Sequence, residues 1–121
     1  MKLVILESPY AGDVKLNTYY ARLCMRDCLL KGEAPYASHL IYTQPNILDD
    51  LIKEERELGI EAGLCWGTCA EKTVAYMDLG ESGGMRYGLE KANAAGRIIE
   101  FRLLPDWPVK LMEYIDEQNK V

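Results

Sequence analysis

The apolar positions of the chain change period several times, and each change marks an element. Residues 2–7 contain the unbroken run Leu3-Val4-Ile5-Leu6, which predicts a short strand covered on both faces. From residue 14 to 31 the pattern turns helical. Ala21, Cys24, Met25, Cys28 and Leu29 recur at three- and four-residue spacing, and Gly32 supplies the stop. Residues 34–38, Ala-Pro-Tyr-Ala-Ser, predict a second strand against which Pro35 counts. A loop through Thr43-Gln44-Pro45 leads to a helical region over about 47–70, with Gly59 as a break point. Lys72–Met77 predicts a third strand and residues 79–84 a glycine-rich turn. A helix to about Ala95, a fourth strand over Arg97–Arg102 and an amphipathic helix over 105–118 complete the pattern. That last helix has Val109, Leu111, Met112 and Ile115 on its apolar side.

Strands alternating with helices predict an α/β fold: a Rossmann-like, mostly parallel sheet of four to five strands with helices on both faces, in a single domain over 1–121. Right-handed crossovers bring the carboxyl ends of all strands to one rim, where open α/β sheets bind ligands. The polar residues gather at those ends. The first strand ends in Glu7-Ser8-Pro9-Tyr10, the second in Ser38-His39, and the third in Asp78, followed by Gly80 and Ser82-Gly83-Gly84. Tyr10 offers a stacking face, and Gly12 allows close backbone approach. The Ser82-Gly83-Gly84 turn opens a helix. It serves either as an anion site built from free N–H groups or simply as an N-cap. His39, the sole histidine, is either a structural residue or a ligand contact. Gly59, Gly63 and Gly67 fall four apart, as do Gly84, Gly88 and Ala92. Such stripes predict close backbone packing. For the first stripe, the expectation is a contact between subunits, with Trp66 and the cysteines facing inward.

Composition narrows the classes. The chain has 121 residues, 49% of them apolar, and a mean hydropathy of −0.17. No apolar run approaches the roughly 18 residues that a membrane helix needs. The opening Met1–Leu6 is too short for a secretory signal and is interrupted by Glu7, so a cytoplasmic protein is expected, in a host cytoplasm if the gene is viral. The net charge is −5 and the pI about 4.9, without the basic stripe of a nucleic-acid binder. A small anionic ligand is still compatible with this balance, because a few local donors suffice to hold it. The four cysteines form two C-x3-C pairs, Cys24/Cys28 and Cys65/Cys69. That spacing does not suit a zinc knuckle, and reduced thiols packed on buried helix faces are expected, with no metal and no cofactor.

The ordered set Ser8-Pro9-Tyr10-x-Gly12-Asp13, Asn17, Ala21, Gly32, Pro35, His39, Glu55-Arg56-Glu57, Ser82-x-Gly84-Met85 and Gly96-x-Ile98 resembles the nucleoside 2-deoxyribosyltransferase-like superfamily. That superfamily includes the deoxynucleoside 5′-monophosphate N-hydrolases, and the pattern is similar to its small uncharacterised members found in phage genomes. The resemblance spans residues 2–102. It implies a nucleoside or nucleotide pocket at the strand ends and a homo-oligomer, a dimer or higher. The ligand contacts it implies are Ser8, Pro9, Tyr10, Gly12, Asp13, His39, Arg56, Ser82, Gly84, Met85 and Arg86. No nucleic-acid polymer and no membrane are expected as partners.

In the enzymes of the superfamily, a glutamate on the helix after the glycine-rich turn attacks the anomeric carbon, and a second carboxylate assists. By register that glutamate falls on Gly88, while Glu90 is displaced by about 200° around the helix. Glu57 matches the second acid. Glycine at 88 predicts a void and a nucleotide-binding protein without the family's nucleophile, one that sequesters a nucleotide signal in a phage setting. The alternative is an N-glycosidase or deoxyribosyl transferase that uses a relocated carboxylate (Glu7, Asp78, Glu81 or Glu90) or water activated by His39. A third reading, an interaction protein, would use Trp107, Val109, Met112 and Tyr114 as its surface.

Overall fold

The structure, a computed structural model, describes residues 1–120. Its elements run β1 (Lys2–Glu7), α1 (Val14–Leu30), β2 (Glu33–Tyr36), α2 (Ser38–Ile41), α3 (Lys53–Gly67), β3 (Lys72–Tyr76), α4 (Gly83–Ala94), β4 (Ile98–Arg102) and α5 (Trp107–Gln118). The four strands form one parallel sheet in the order β2-β1-β3-β4. This is the expected Rossmann-like α/β arrangement. The chain starts in the interior at β1, steps to β2, then crosses back to β3. The crevice above β1 and β3 is therefore the switch point.

Strand alternation divides the side chains between two layers. Val4, Leu6, Val74 and Tyr76 are buried on one face beneath α1 and α5, with Tyr20, Ala21, Cys24, Cys28 and Trp107. Ala75 lies on the other face, packed with Met85 and Leu89 of α4. Ile5 and Glu7, by the same alternation, also point to the α4 side. Asp13 caps α1, its carboxylate accepting from the Leu16 N–H at 3.2 Å, and Gly32 at φ +77° closes the helix. Pro35 is tolerated because β2 is an edge strand.

Several expectations shift. The second strand stops at Tyr36, and Ser38-His39 begin the short helix α2. The helix expected from residue 47 starts only at Lys53, and it runs through Gly59 without a break. Cys24 and Cys28 are buried, but Cys65 and Cys69 are exposed. Trp107 packs edge-on against Tyr20 with ring centroids 4.7 Å apart, and Tyr114 lies 5.0 Å from Tyr19. Val109 and Met112 instead face outward. Among the described residues no helix is long and apolar enough to cross a membrane, and no cluster of acidic, histidine or cysteine residues is placed to hold a metal ion.

A polar network lies on the α1 face. Arg102 donates through both terminal nitrogens to Glu33, Nη1 to Oε1 at 2.7 Å and Nη2 to Oε2 at 2.6 Å. It also donates to the Tyr76 hydroxyl at 3.2 Å and to Glu100. Lys72 sits between Glu33 at 3.1 Å and Glu100 at 3.0 Å. The Tyr76 hydroxyl donates to Asp27 of α1 at 2.6 Å. Both edge strands and α1 are thereby tied together by one bidentate pair and its neighbours. The Arg102 guanidinium holds the Glu33 carboxyl down at about 2, against an ordinary 4.5.

Removing one partner strands the other charge, so Glu33→Ala is expected to cost about 3–5 kcal/mol in chemical denaturation. The sign of the pH effect follows from a carboxyl lowered on folding. The stabilisation is complete above about pH 4.5 and is lost as pH falls toward 2. Melting curves of the wild type and Glu33→Gln should therefore converge across that window.

Candidate functional site

The end of β1 is held from two sides. Asn17, on the first turns of α1, donates its amide to the carbonyls of Tyr10 at 2.9 Å and Ala11 at 3.2 Å. This fixes the loop that carries Tyr10. Ser8 is buried, and its hydroxyl lies 2.8 Å from His39 Nε2. Thr43 in turn donates to the His39 carbonyl at 2.7 Å, closing α2 onto the following loop. Burial pushes His39 down to about 4, so its imidazole is neutral over the physiological range.

Below this rim, a cavity of about 190 Å³ runs between the sheet and helices α3 and α4. Its walls explain the glycine stripes. Gly59, Gly63 and Gly67 line it from α3, and Gly84 and Gly88 from α4. All of these except Gly84 seat a side chain of the same chain. A Cβ on Gly63 would stand 2.8 Å from Ser38 Oγ, and one on Gly67 would stand 2.9 Å from Arg97 Nη2. On Gly59 it would meet Leu48 at 3.2 Å. The expectation that the first stripe faces another subunit is thus corrected: it faces inward, while Trp66 is 55% exposed and donates to the Tyr42 hydroxyl at 3.1 Å.

Gly88 gives the tightest case. A Cβ there would lie 2.2 Å from Glu7 Oε2 and 2.8 Å from Glu7 Cδ. The expected void at 88 does not exist, because the Glu7 carboxyl fills it. That carboxyl accepts no hydrogen bond among the described residues. Burial raises it to about 8, with the positive charge of Arg97 opposing the rise. At neutral pH Glu7 is therefore largely a protonated acid, and His39 a free base.

The structure gathers Ser8, Tyr10, His39, Arg56, Ser82, Gly84 and Met85 around the cavity. Ser82 Oγ accepts from the Met85 N–H at 3.2 Å, so it is an N-cap as well as a wall residue. The other expected contacts lie elsewhere. Pro9 is packed inward behind the lining, and Gly12, at φ +103°, shapes the turn beyond it. Asp13 is spent capping α1, and Arg86 is exposed 3.9 Å from Glu81. Neither expected catalytic carboxylate reaches the cavity. Glu57 is exposed on the outer side of α3, two residues out of step with the glycine stripe; Glu55, in step with Gly59, is the residue at the mouth. Glu90 is exposed for the same reason relative to Gly88. Asp78 points to the opposite face, accepting from the Tyr20 hydroxyl at 2.6 Å and the Leu104 N–H at 2.9 Å. Sequence reasoning missed Tyr36, Tyr42 and Arg97 as lining residues, while Ser38, placed at the rim with His39, does line the cavity. The only signal for Arg97 was Gly67, which faces it.

Residues 2–102 match the family model described as Domain of unknown function (DUF7768). The chain belongs to the DUF7768 family. Among curated proteins, none matches the DUF7768 chain. Among solved structures, it is similar to a 2-deoxyribosyltransferase from the psychrotolerant bacterium Bacillus psychrosaccharolyticus. The identity is 17%, the TM-score 0.59, and the match covers 84% of this chain and 72% of that one. The DUF7768 domain thus shares the fold of a deoxyribosyltransferase.

The contact at residue 88 predicts a double-mutant cycle. Gly88→Ala alone should destabilise the DUF7768 domain by about 1–3 kcal/mol, because a methyl collides with a buried carboxyl. In a Glu7→Ala background the same change should be stabilising by up to ~1 kcal/mol, the ordinary helix preference for alanine. Denaturant titration of the four proteins measures the coupling; additive effects would contradict the contact.

Proposed function

We propose that the cavity binds a nucleoside or nucleoside monophosphate and that Glu7 acts on its N-glycosidic bond. The observation that carries this reading is the Glu7 carboxyl standing against Gly88, the position where the resembling superfamily places its catalytic glutamate. The carboxyl is supplied by the strand instead of the helix, and it borders the same space. Tyr10, Tyr36 and Tyr42 line the outer part of the cavity and offer faces for a base. The cavity's size suits one small molecule and excludes a polymer.

The opposed ionisation of the two groups sets the roles. Glu7, protonated at neutral pH, gives its proton to the departing base as the C1′–N bond breaks and the bonding pair leaves with the base. Neutral His39 takes a proton from a water, whose oxygen bonds to C1′. The products are the free base and the sugar or sugar phosphate, and solvent exchange returns the proton from His39 to Glu7. Ser8, bonded to His39, orients the ring.

The test is chromatography of free base released from the four 2′-deoxynucleosides and their 5′-monophosphates. Glu7→Gln should lower release at least 100-fold while ligand affinity stays within a few-fold. The pH profile of kcat/KM should be flat between about 4 and 8, falling above as Glu7 loses its proton and below as His39 gains one. A rate that instead rises through pH 8 would reassign Glu7 as an ionised nucleophile.

A second reading has its own support: no carboxylate stands on α4 within the cavity, so a protein that holds its nucleotide intact is also consistent with Gly88. Bound ligand recovered unchanged by mass, with no base released, identifies this case. Absence of binding by every nucleoside and nucleotide overturns both readings.

Glu7 also carries a stability prediction. A carboxyl raised on folding contributes stability below about pH 4.5 that is lost as pH rises to about 8. Glu7→Gln should therefore melt higher than the wild type, with the gap widening from pH 5 to pH 8.

A further inference from the structure

We propose that the free edge of β4 pairs with the β4 edge of a second copy of the chain, antiparallel and centred on Phe101, so that two sheets join into one.

The two edges of the sheet differ. β2 is four residues long and contains Pro35, which blunts it as a pairing surface. β4 reads Ile98-Ile99-Glu100-Phe101-Arg102 and runs on into Leu103, with no proline and no lysine. Ile98, Phe101 and Leu103 are 68%, 60% and 67% exposed, an apolar edge of the kind that recruits another strand. The Arg102 carbonyl accepts from the Met77 N–H at 2.9 Å, so the main-chain groups of Ile98, Glu100 and Arg102 face β3. By strand alternation those of Ile99, Phe101 and Leu103 point outward. Among the described residues they bond to no main chain outside the sheet.

The outward groups limit how two such edges can meet. Antiparallel strands exchange bonds where outward residues oppose one another, so the twofold axes that keep most of β4 paired pass through residue 100, 101 or 102. An axis through 100 sets Glu100 against Glu100 of the second copy, and one through 102 sets Arg102 against Arg102. Like charges directly opposed are unfavourable. An axis through 101 sets Glu100 against Arg102 in both directions, Phe101 against Phe101, and Ile99 against Leu103. Of these registers, only the one centred on 101 matches charge with opposite charge. It also pairs the outward N–H and C=O groups of all three outward residues.

The faces agree as well. Glu100 and Arg102 form an ion pair on the α1 side, whereas Ile99 packs into the α4 layer. The joined sheet therefore carries its charges on one side and Ile99, Phe101 and Leu103 on the other. Pairing consumes the open edge of each copy and leaves only the edges that Pro35 blunts, so the assembly closes as a dimer. No residue of β4 lines the cavity, and the interface is independent of the nucleoside reading.

Light scattering and oxidative cross-linking test the proposal. The wild type should show twice the chain mass of 13.7 kDa at micromolar concentration. Phe101→Lys should dimerise at least about 100-fold more weakly with an unchanged far-ultraviolet spectrum. Leu30→Lys, at an equally exposed position on α1, should stay dimeric. Register is read in a Cys65→Ser/Cys69→Ser background, which removes the exposed native thiols. There Phe101→Cys should link two copies, because Cα atoms of a bonded pair lie about 5.5 Å apart, within disulfide reach. Ile99→Cys alone should not, since the same residue of the second copy lies roughly 14 Å away; mixed with Leu103→Cys it should. Should Phe101→Lys misfold, the cysteine series decides alone. A monomeric wild type, a dimer insensitive to a folded Phe101→Lys, larger assemblies, or linkage through Glu100→Cys in preference to Phe101→Cys overturns the proposal.

Discussion

The architecture of the cavity depends on one close approach, between the Glu7 carboxyl at the end of β1 and the backbone of α4 at Gly88. The separation leaves no room for any side chain at 88. This constraint fixes both partners. Helix α4 can lie over β1 and β3 only with glycine at that turn, and the carboxyl is pressed into a site too enclosed to ionise readily. The same device recurs along α3, where Gly63 seats Ser38 and Gly67 seats Arg97. A glycine in a helix interior costs about 1 kcal/mol relative to alanine. Here each lost side chain is exchanged for a polar group delivered from another element. The glycines are the sockets of the site, and the reactive groups come from strand ends and turns.

Enclosure then dictates charge. Desolvation acts on both central titratable groups toward the neutral form, upward for the Glu7 acid and downward for the His39 base. Both groups are uncharged at neutral pH within one cavity, which Arg97 also borders. An acid with its proton and a base without one form the pair on which the proposed reaction draws. The stability of the fold is secured elsewhere, on the α1 face, where Glu33 and Arg102 meet in bidentate contact away from the cavity. The desolvated carboxyl and the Glu33–Arg102 pair occupy different layers of the same sheet.

The layer structure was legible in the sequence because it follows from local patterns. The run Leu3–Leu6, the helical spacing from Ala21 to Leu29 and the glycine stops at 32 and 96 each encode their element without reference to the rest of the chain. The rim was legible too, since parallel strands must deliver Ser8, Tyr10, His39 and Ser82 to the same edge. What sequence did not reveal was sidedness. Glu57 is matched through the Glu55-Arg56-Glu57 run, yet a shift of two helical positions from the glycine stripe puts its side chain on the opposite face, the same offset of about 200° that the sequence already gives for Glu90. The α3 stripe was read as an outer surface because glycine spacing is the same whether a neighbouring backbone or a cavity lies against it. Arg97 gave no signal beyond the glycine that faces it, and its relation to Gly67 exists only once α3 has crossed over the start of β4.

A functional group is therefore better defined by a point in space than by a position in the chain. In this chain a carboxyl stands at the crevice between β1 and β3, and at least two elements, the end of β1 and α4, border that crevice closely enough to supply one. A side chain from α4 and one from the end of β1 compete for the same volume, and steric exclusion allows one of them. Glycine at 88 and glutamate at 7 form one solution to that exclusion, and glutamate at 88 with a small residue at 7 would form the other. The two solutions differ in what holds the carboxyl. A helix turn is braced on both sides by its own hydrogen bonds, whereas Glu7 sits at the last residue of a strand whose following loop is clamped only by Asn17 and the Ser8–His39 contact. Moving the acid from helix to strand end ties its placement to that loop, so the residues that grip Tyr10 and Ala11 bear on the acid's geometry as directly as Gly88 does.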